Sequence, residues 1–210
     1  MFTGIITDIG EIVSIKDSAN QLRNIRIHSI YDADTIAIGA SIACNGICLT
    51  VTDRGKRDNG CWFDVTAAQE TLARTTICNW QEKGRINLER SLKIGDELGG
   101  HIVTGHVDGV AKIIQVEPLT EADTPWGATA RFFIQAPQEL AKFIAEKGSV
   151  TLDGVSLTVN TVDGCVLSVL LIPHTMQVTT WGEKKTGDLV NLEVDLMARY
   201  AARLTQSALA

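Results

Sequence analysis

The sequence has no excess of basic residues. Nineteen Lys and Arg stand against 25 Asp and Glu, giving a net charge of −6 and a pI near 5.2. A nucleic-acid binder usually carries a basic face, so that class is not expected. No run of 18 apolar residues occurs, and no helical membrane span is expected. The opening MFTGIITDIG lacks the basic start and long apolar core of a secretory signal. The five cysteines, Cys44, Cys48, Cys61, Cys78 and Cys165, form no C-x-x-C pair, and the four histidines show no matching ligand spacing. A zinc site is therefore not expected, and reduced thiols in the cytoplasm are the simplest reading. G-x-G-x-x-G after a strand, a Walker A loop, H-E-x-x-H and G-x-S-x-G are all missing. Dinucleotide, nucleoside triphosphate, metalloprotease and serine-hydrolase chemistries have no support.

What is present is one text written twice. TGII from Thr3 echoes TGHV from Thr104, and SIACNGICLTV from Ser41 echoes SVTLDGVSLTV from Ser149. TLARTT from Thr71 echoes TMQVTT from Thr175, and NLE recurs at Asn87 and Asn191. The matches keep their order, with offsets of 101, 108, 104 and 104 residues. Two tandem domains with loop insertions explain this; a solenoid needs a shorter period and more copies. The joint falls near Arg90 to Gly105.

Each copy carries short β-rich runs separated by turn residues at intervals near ten, the pattern of a small barrel or sandwich. Asn45-Gly46 and Asp153-Gly154 favour tight hairpin turns, because both residue types tolerate positive φ. PQELAKFIAEKG from Pro137 is expected to be a helix, with proline at its start and Gly148 at its end. The segment DLMARYAARLTQSALA is helix-like, with Leu196, Met197, Tyr200 and Leu204 on one side. That side either covers a neighbouring subunit or folds back on its own domain.

After the first tight turn, Ile47, Leu49 and Val51 share one strand face, and Cys48 and Thr50 share the other. In the second copy, Val155, Leu157 and Val159 oppose Ser156 and Thr158. Small polar groups opposite a core face leave room for a flat ligand, or simply face water. GGHIVTGHVDGV holds His101 and His106, five apart; on spacing alone both read as structural histidines at the joint.

MFTGII, NGICLTV, GGHIVTGHVDG, DGVSLTV, LIPHT and VNLEVD together resemble riboflavin synthase of the α-chain type, over essentially the whole chain. The resemblance implies a mainly β fold of two similar six-stranded Greek-key barrels, residues 1–97 and 98–194. A C-terminal α-helix, 195–210, would follow, in a homotrimer. It implies a dismutation of two 6,7-dimethyl-8-ribityllumazine molecules to riboflavin and 5-amino-6-(ribitylamino)uracil, with no cofactor or metal. The site would lie between the first barrel of one subunit and the second of its neighbour. Duplication suits a reaction whose two substrates are one compound, and Cys48 against Ser156 suits their unlike roles as donor and acceptor.

Carried over residue by residue, Gly4, Ile5 and Ile6 match a ring-binding loop, as do Gly105, His106 and Val107. Cys48, Leu49 and Thr50 match one pocket strand; Ser156, Leu157 and Thr158 match its counterpart. Thr66, Ala67, Ala68, Gln69, Glu70 and Thr71 fall at a ribityl- and ring-contacting turn. Leu170, Leu171, Ile172, Pro173, His174 and Thr175 fall at the other, His174 standing where an acidic residue is common. Lys147 matches a pocket-rim lysine. Ser41, Cys48, His106 and Asp195 match positions given catalytic weight. His106 or a substrate-bound hydroxide would take a proton from the C7 methyl of one lumazine. Cys48, Ser41, water or a ribityl hydroxyl would add to the other, and Asp195 would orient or protonate. Lumazine-carrying proteins resemble the same fold without catalysis; they tend to lose the cysteine at position 48 and alter the second SLTV, both kept here.

Overall fold

A computed structural model describes residues 1–18, 22–119 and 129–208. Six antiparallel strands close the first barrel: β1 (Asp8–Asp17), β2 (Arg23–Ser29), β3 (Ser41–Cys44), β4 (Ile47–Arg57), β5 (Gly60–Ala67) and β6 (Arg85–Arg90). Six more close the second: β7 (Gly109–Leu119), β8 (Thr129–Gln135), β9 (Ser149–Leu152), β10 (Val155–Asp163), β11 (Val166–Leu171) and β12 (Leu189–Val194). The first barrel runs β1-β2-β5-β4-β3-β6, and the second repeats that order strand for strand. Register shifts fall at Ile12/Ser14 and Val51/Asp53, and again at the equivalent Ile113/Gln115 and Val159/Thr161. Such bulges bend a strand and deepen its twist, as closing a six-stranded sheet requires.

Alternation does the rest. β5 buries every second residue, Cys61, Phe63, Val65 and Ala67, against Ile25, Ile27 and Leu88. The second core is centred on Trp181, whose ring meets Phe132 edge-on at 5.0 Å. Asn45 and Gly46 have φ of 46° and 78°, and Asp153 and Gly154 have 46° and 83°, the primed hairpin turn expected of these dipeptides. The two turns meet back to back. A Cβ on Gly46 would sit 2.7 Å from the Gly154 nitrogen, so neither glycine can carry a side chain.

The repeated NLE rivets the barrels together. Asn87 Nδ2 donates to the Asp153 carbonyl and Asn191 Nδ2 to the Asn45 carbonyl, both at 2.9 Å. Asn191 Oδ1 accepts from the Thr76 amide at 2.7 Å, and Asn87 Oδ1 from that of Thr180 at 2.8 Å. One asymmetry sits beside these rivets: buried Asp153 pairs with Lys184 Nζ at 2.6 Å, where the first copy has Asn45 and Trp80.

Two helices of six residues, α1 (Gln69–Arg74) and α2 (Pro173–Val178), occupy equivalent positions after β5 and β11. The expected helix over Pro137–Gly148 is not formed. Only Ala141–Phe143 is helical, as a 3₁₀ turn, and the bonds are i to i+3: Leu140 to Pro137, Phe143 to Leu140, Ile144 to Ala141 and Gly148 to Ala145. A segment this short is marginal as an isolated helix. Leu140 and Ile144 both pack into the barrel core. The C-terminal helix α3 (Leu196–Ala208) is tied down by an Asp108–Arg199 ion pair. Met197, Tyr200 and Leu204 remain 72%, 60% and 70% exposed, so this side does not fold back on its own domain.

Candidate functional site

The working faces are set by the turns. β4 leaves Asn45-Gly46 with Ile47, Leu49 and Val51 inward, which turns Cys48 and Thr50 outward. Ser41 pairs with Thr50, and Ala43 with Cys48, so Ser41 shares that outer face. In the second barrel, Ser149 pairs with Thr158 and Thr151 with Ser156. Leu49, Ala67, Leu157 and Leu171 point into the cores, so these four offer only backbone to the outside.

Each outer face is met by an arm from the other end of the joint. The Cys48 amide donates to the Gly105 carbonyl and the Ser156 amide to the Gly4 carbonyl, both at 2.8 Å. The arms cross: Val107 packs on the first core and Ile6 on the second. Gly4 and Gly105 have φ of 78° and 77°. A Cβ on Gly105 would lie 2.6 Å from Cys48 Cβ, and one on Gly4 would lie 2.5 Å from Ser156 Cβ. Both arms are held by a buried carboxylate. Glu89 accepts from the Thr3 amide, Thr3 Oγ1 and the Gly4 amide at 2.6, 2.7 and 2.9 Å. Glu193 accepts from Thr104 and Gly105 in the same way at 2.7, 2.7 and 2.9 Å. Burial pushes the Glu89 carboxyl above its usual range, against the pull of those donors.

Over the first barrel this geometry leaves a cavity of about 230 Å³, lined by Cys48, Glu70, Thr71, Arg74, Gly105, His106 and Val107 among others. Residues spread over 60 positions of sequence thus converge on one place. Glu70 and Arg74 pair across one turn of α1 at 3.0 Å. Thr66 is hydrogen-bonded to Asn24 on the outer face, while Ala68, Gln69 and Glu70 are exposed at the start of α1. In the second barrel, Leu170 and Leu171 end β11, exposed Ile172 leads into α2, and Pro173, His174 and Thr175 form its first turn. Lys147 is exposed at a positive-φ turn, its amide bonded to the Val159 carbonyl.

The four residues given catalytic weight do not form one cluster in a single chain. Ser41, Cys48 and His106 belong to the first barrel's face. Asp195 stands just before α3, its Oδ1 accepting the Met197 amide, and its charge reaches His101 on the second barrel's face. His101 lies on the second face, where spacing alone gives no sign of contact. Its Nδ1 is 2.7 Å from Ser156 Oγ and its Nε2 is 3.1 Å from Thr151 Oγ1. It lies outside the matched repeats, and the first barrel has Ala43 and Cys48 where the second has its partners Thr151 and Ser156. Burial pulls the His101 pKa below its ordinary 6.5, with Asp195 and Glu193 opposing. Its neutral form is favoured by folding. That stability contribution is complete above pH 6.5 and is lost as pH falls through the lowered folded pKa. Urea unfolding from pH 7.5 to 5.5 is expected to show a stability decline that is shallower in His101→Asn; parallel curves would contradict it.

Comparison with known proteins adds three findings. The family described as lumazine binding domain matches twice, over residues 3–91 and 104–195. The chain is 56% identical to riboflavin synthase of Brucella abortus (strain 2308) over 207 residues, 98% of each chain. It is 36% identical to riboflavin synthase of Bacillus subtilis (strain 168), covering 99% of this chain and 91% of that one. Among solved structures, LumP complexed with riboflavin superposes with a TM-score of 0.77 at 21% identity, covering 92% of this chain and 99% of that one. LumP complexed with 6,7-dimethyl-8-(1'-D-ribityl) lumazine gives 0.76 at 20% identity. At that identity the likeness concerns the fold.

Proposed function

The chain belongs to the riboflavin synthase family, and on that premise we propose how its two barrels make riboflavin. It is a transferase of riboflavin biosynthesis. The reaction is the dismutation of two 6,7-dimethyl-8-ribityllumazine molecules, one giving up a four-carbon unit to the other. The observation that carries this is the pair of equivalent outer faces, each of small polar strand residues under a glycine arm. One face presents Cys48 and the other Ser156, so one fold holds the same compound in two unlike environments.

The residue assignments follow that pairing. The first barrel, 1–97, binds one ring between Cys48-Leu49-Thr50, the turn into α1 and the arm Gly105-His106-Val107. The second, 98–194, binds the other between Ser156-Leu157-Thr158, the turn into α2 and the arm Gly4-Ile5-Ile6. His106, exposed at the cavity, takes the C7-methyl proton; Cys48 and Ser41 stand on the face where a nucleophile is needed. Positioning two planar rings face to face supplies much of the acceleration. Asp195 and Lys147 lie away from the first cavity, which fits a site completed by the second barrel of a neighbouring subunit.

The uncovered side of α3 is the contact that would assemble a homotrimer, formed by segment 195–210. Leu204→Asp in this segment is expected to convert an oligomer into monomers in sedimentation, and an unchanged oligomer would count against this surface. The five free thiols fit a cytoplasmic setting. No described helix is long and apolar enough to cross a membrane. Turnover decides the reading. Purified protein given 6,7-dimethyl-8-ribityllumazine alone is expected to release one riboflavin for every two lumazines consumed. Tight binding with no riboflavin would make it a carrier.

A further inference from the structure

We propose that Glu89 and Glu193 are positioning residues of the reaction, and that each governs the substrate site of the opposite barrel. This rests on the two-site reading above. Both carboxylates are 4% exposed and sit on the last strand of their own barrel. Glu89, in the first barrel, spends both oxygens on the arm at Thr3-Gly4. The Gly4 carbonyl then meets the Ser156 amide of the second barrel. Glu193, in the second barrel, does the same for Thr104-Gly105, whose carbonyl meets the Cys48 amide of the first.

The chemistry requires an anion at both places. Each arm presents two consecutive amides and a hydroxyl, three donors converging on one buried spot. A carboxylate has lone pairs for all three on two acceptor oxygens. A glutamine of equal size has one acceptor oxygen and an NH₂ that must face an N–H. Thr3 Oγ1 and Thr104 Oγ1 also accept from the amides two residues on, Ile5 at 3.2 Å and His106 at 3.3 Å. The clamp therefore fixes the backbone of the ring-binding arm as far as Ile5 and His106. Among the described residues no side chain of the opposite barrel takes part, so the two sites are steered separately although the two clamps are copies.

Amide hydrogen exchange on the full-length protein reads this without any ligand. Glu193→Gln is expected to speed exchange of the Cys48 amide by about 10-fold or more, the scale of a lost charge-assisted hydrogen bond, and leave the Ser156 amide unchanged. Glu89→Gln is expected to do the reverse. Thr104→Val and Thr3→Val, which keep the carboxylates, are expected to repeat the crossed pattern at smaller amplitude, and they serve if a glutamine variant fails to fold. Both glutamine variants are expected to lose kcat more than they raise KM, since displaced rings bind but do not meet. Equal acceleration at both amides, or acceleration at the amide of the carboxylate's own barrel, would overturn the proposal. A crossed exchange pattern in a protein whose parent makes no riboflavin would leave the clamps standing and remove the two-site reading beneath them.

Discussion

Gly105→Ala is expected to lower kcat/KM by about 10²-fold or more, the cost of displacing a reacting group by roughly an ångström. The added methyl would lie 2.6 Å from Cys48 Cβ and 2.9 Å from the Cys48 nitrogen, closer than real Cβ contacts come. The same residue holds φ at 77°, a conformation that strains any L side chain by about 1–3 kcal/mol. Neither Cys48 nor Phe2, the next nearest neighbour at 3.0 Å, has room to yield, because Phe2 is fully buried between the barrels. The arm must lift, and the bond from the Cys48 amide to the Gly105 carbonyl breaks. Gly4→Ala is expected to act alike on the second barrel, through Ser156. Gly164→Ala is the control: φ is 58°, but nothing lies within 4 Å of the new methyl. Steady-state kinetics with thermal unfolding separates them. Gly164→Ala should lose a little stability and no activity, whereas the arm variants should lose activity out of proportion to stability.

The second large effect is on folding. Lys184→Met leaves Asp153 as a buried carboxylate without its cation, and is expected to cost about 3–5 kcal/mol in urea unfolding. Asp153 is 1% exposed and Lys184 is 17% exposed, so water does little to replace the lysine. Burial already raises the Asp153 carboxyl and Lys184 opposes that, so loss of the lysine drives the pKa further up. The first copy of the fold shows a neutral solution, with Asn45 and Trp80 at the equivalent positions. Asp153→Asn added to Lys184→Met is therefore expected to restore most of the loss. Asn keeps an oxygen for the Asn191 amide, which Asp153 Oδ1 now accepts at 2.8 Å. If the double variant were as unstable as the single one, the buried charge would not be the cause.

Much of this architecture is legible in the chain because it is written twice. Strand alternation places Cys48 opposite Leu49 and Ser156 opposite Leu157, and the Asn-Gly and Asp-Gly pairs mark the turns before them. The helix expected from Pro137 fails for a physical reason that sequence signals do not carry. Its proline, glycine and charges suit a helix, but so short a segment is marginal as one, and it folds as successive i to i+3 turns with Leu140 and Ile144 packed on the barrel core. The short helices α1 and α2 are hidden for a related reason: six residues are too few to show a period. His101 escapes notice because it sits outside the repeat, and its partners Thr151 and Ser156 are 50 and 55 residues away. Glu89 and Glu193 stand in plain view in the repeated NLE, yet only folding reveals that each reaches back to the start of its own copy. Resemblance gathers Ser41, Cys48, His106 and Asp195 into one list, and the folded chain separates Asp195 from the rest.

The most direct test of a site shared between subunits is complementation. Gly4→Ala spoils the second barrel's site, and Gly105→Ala spoils the first. Each variant alone is expected to be nearly inactive. Unfolded together in equal amounts and reassembled, they form oligomers in which an intact first barrel meets an intact second barrel of another chain. With random mixing, about a quarter of wild-type riboflavin formation should return, one site in four receiving two sound halves. Reassembled mixed oligomers with no more activity than either parent would contradict it, and would place both substrates on a single chain.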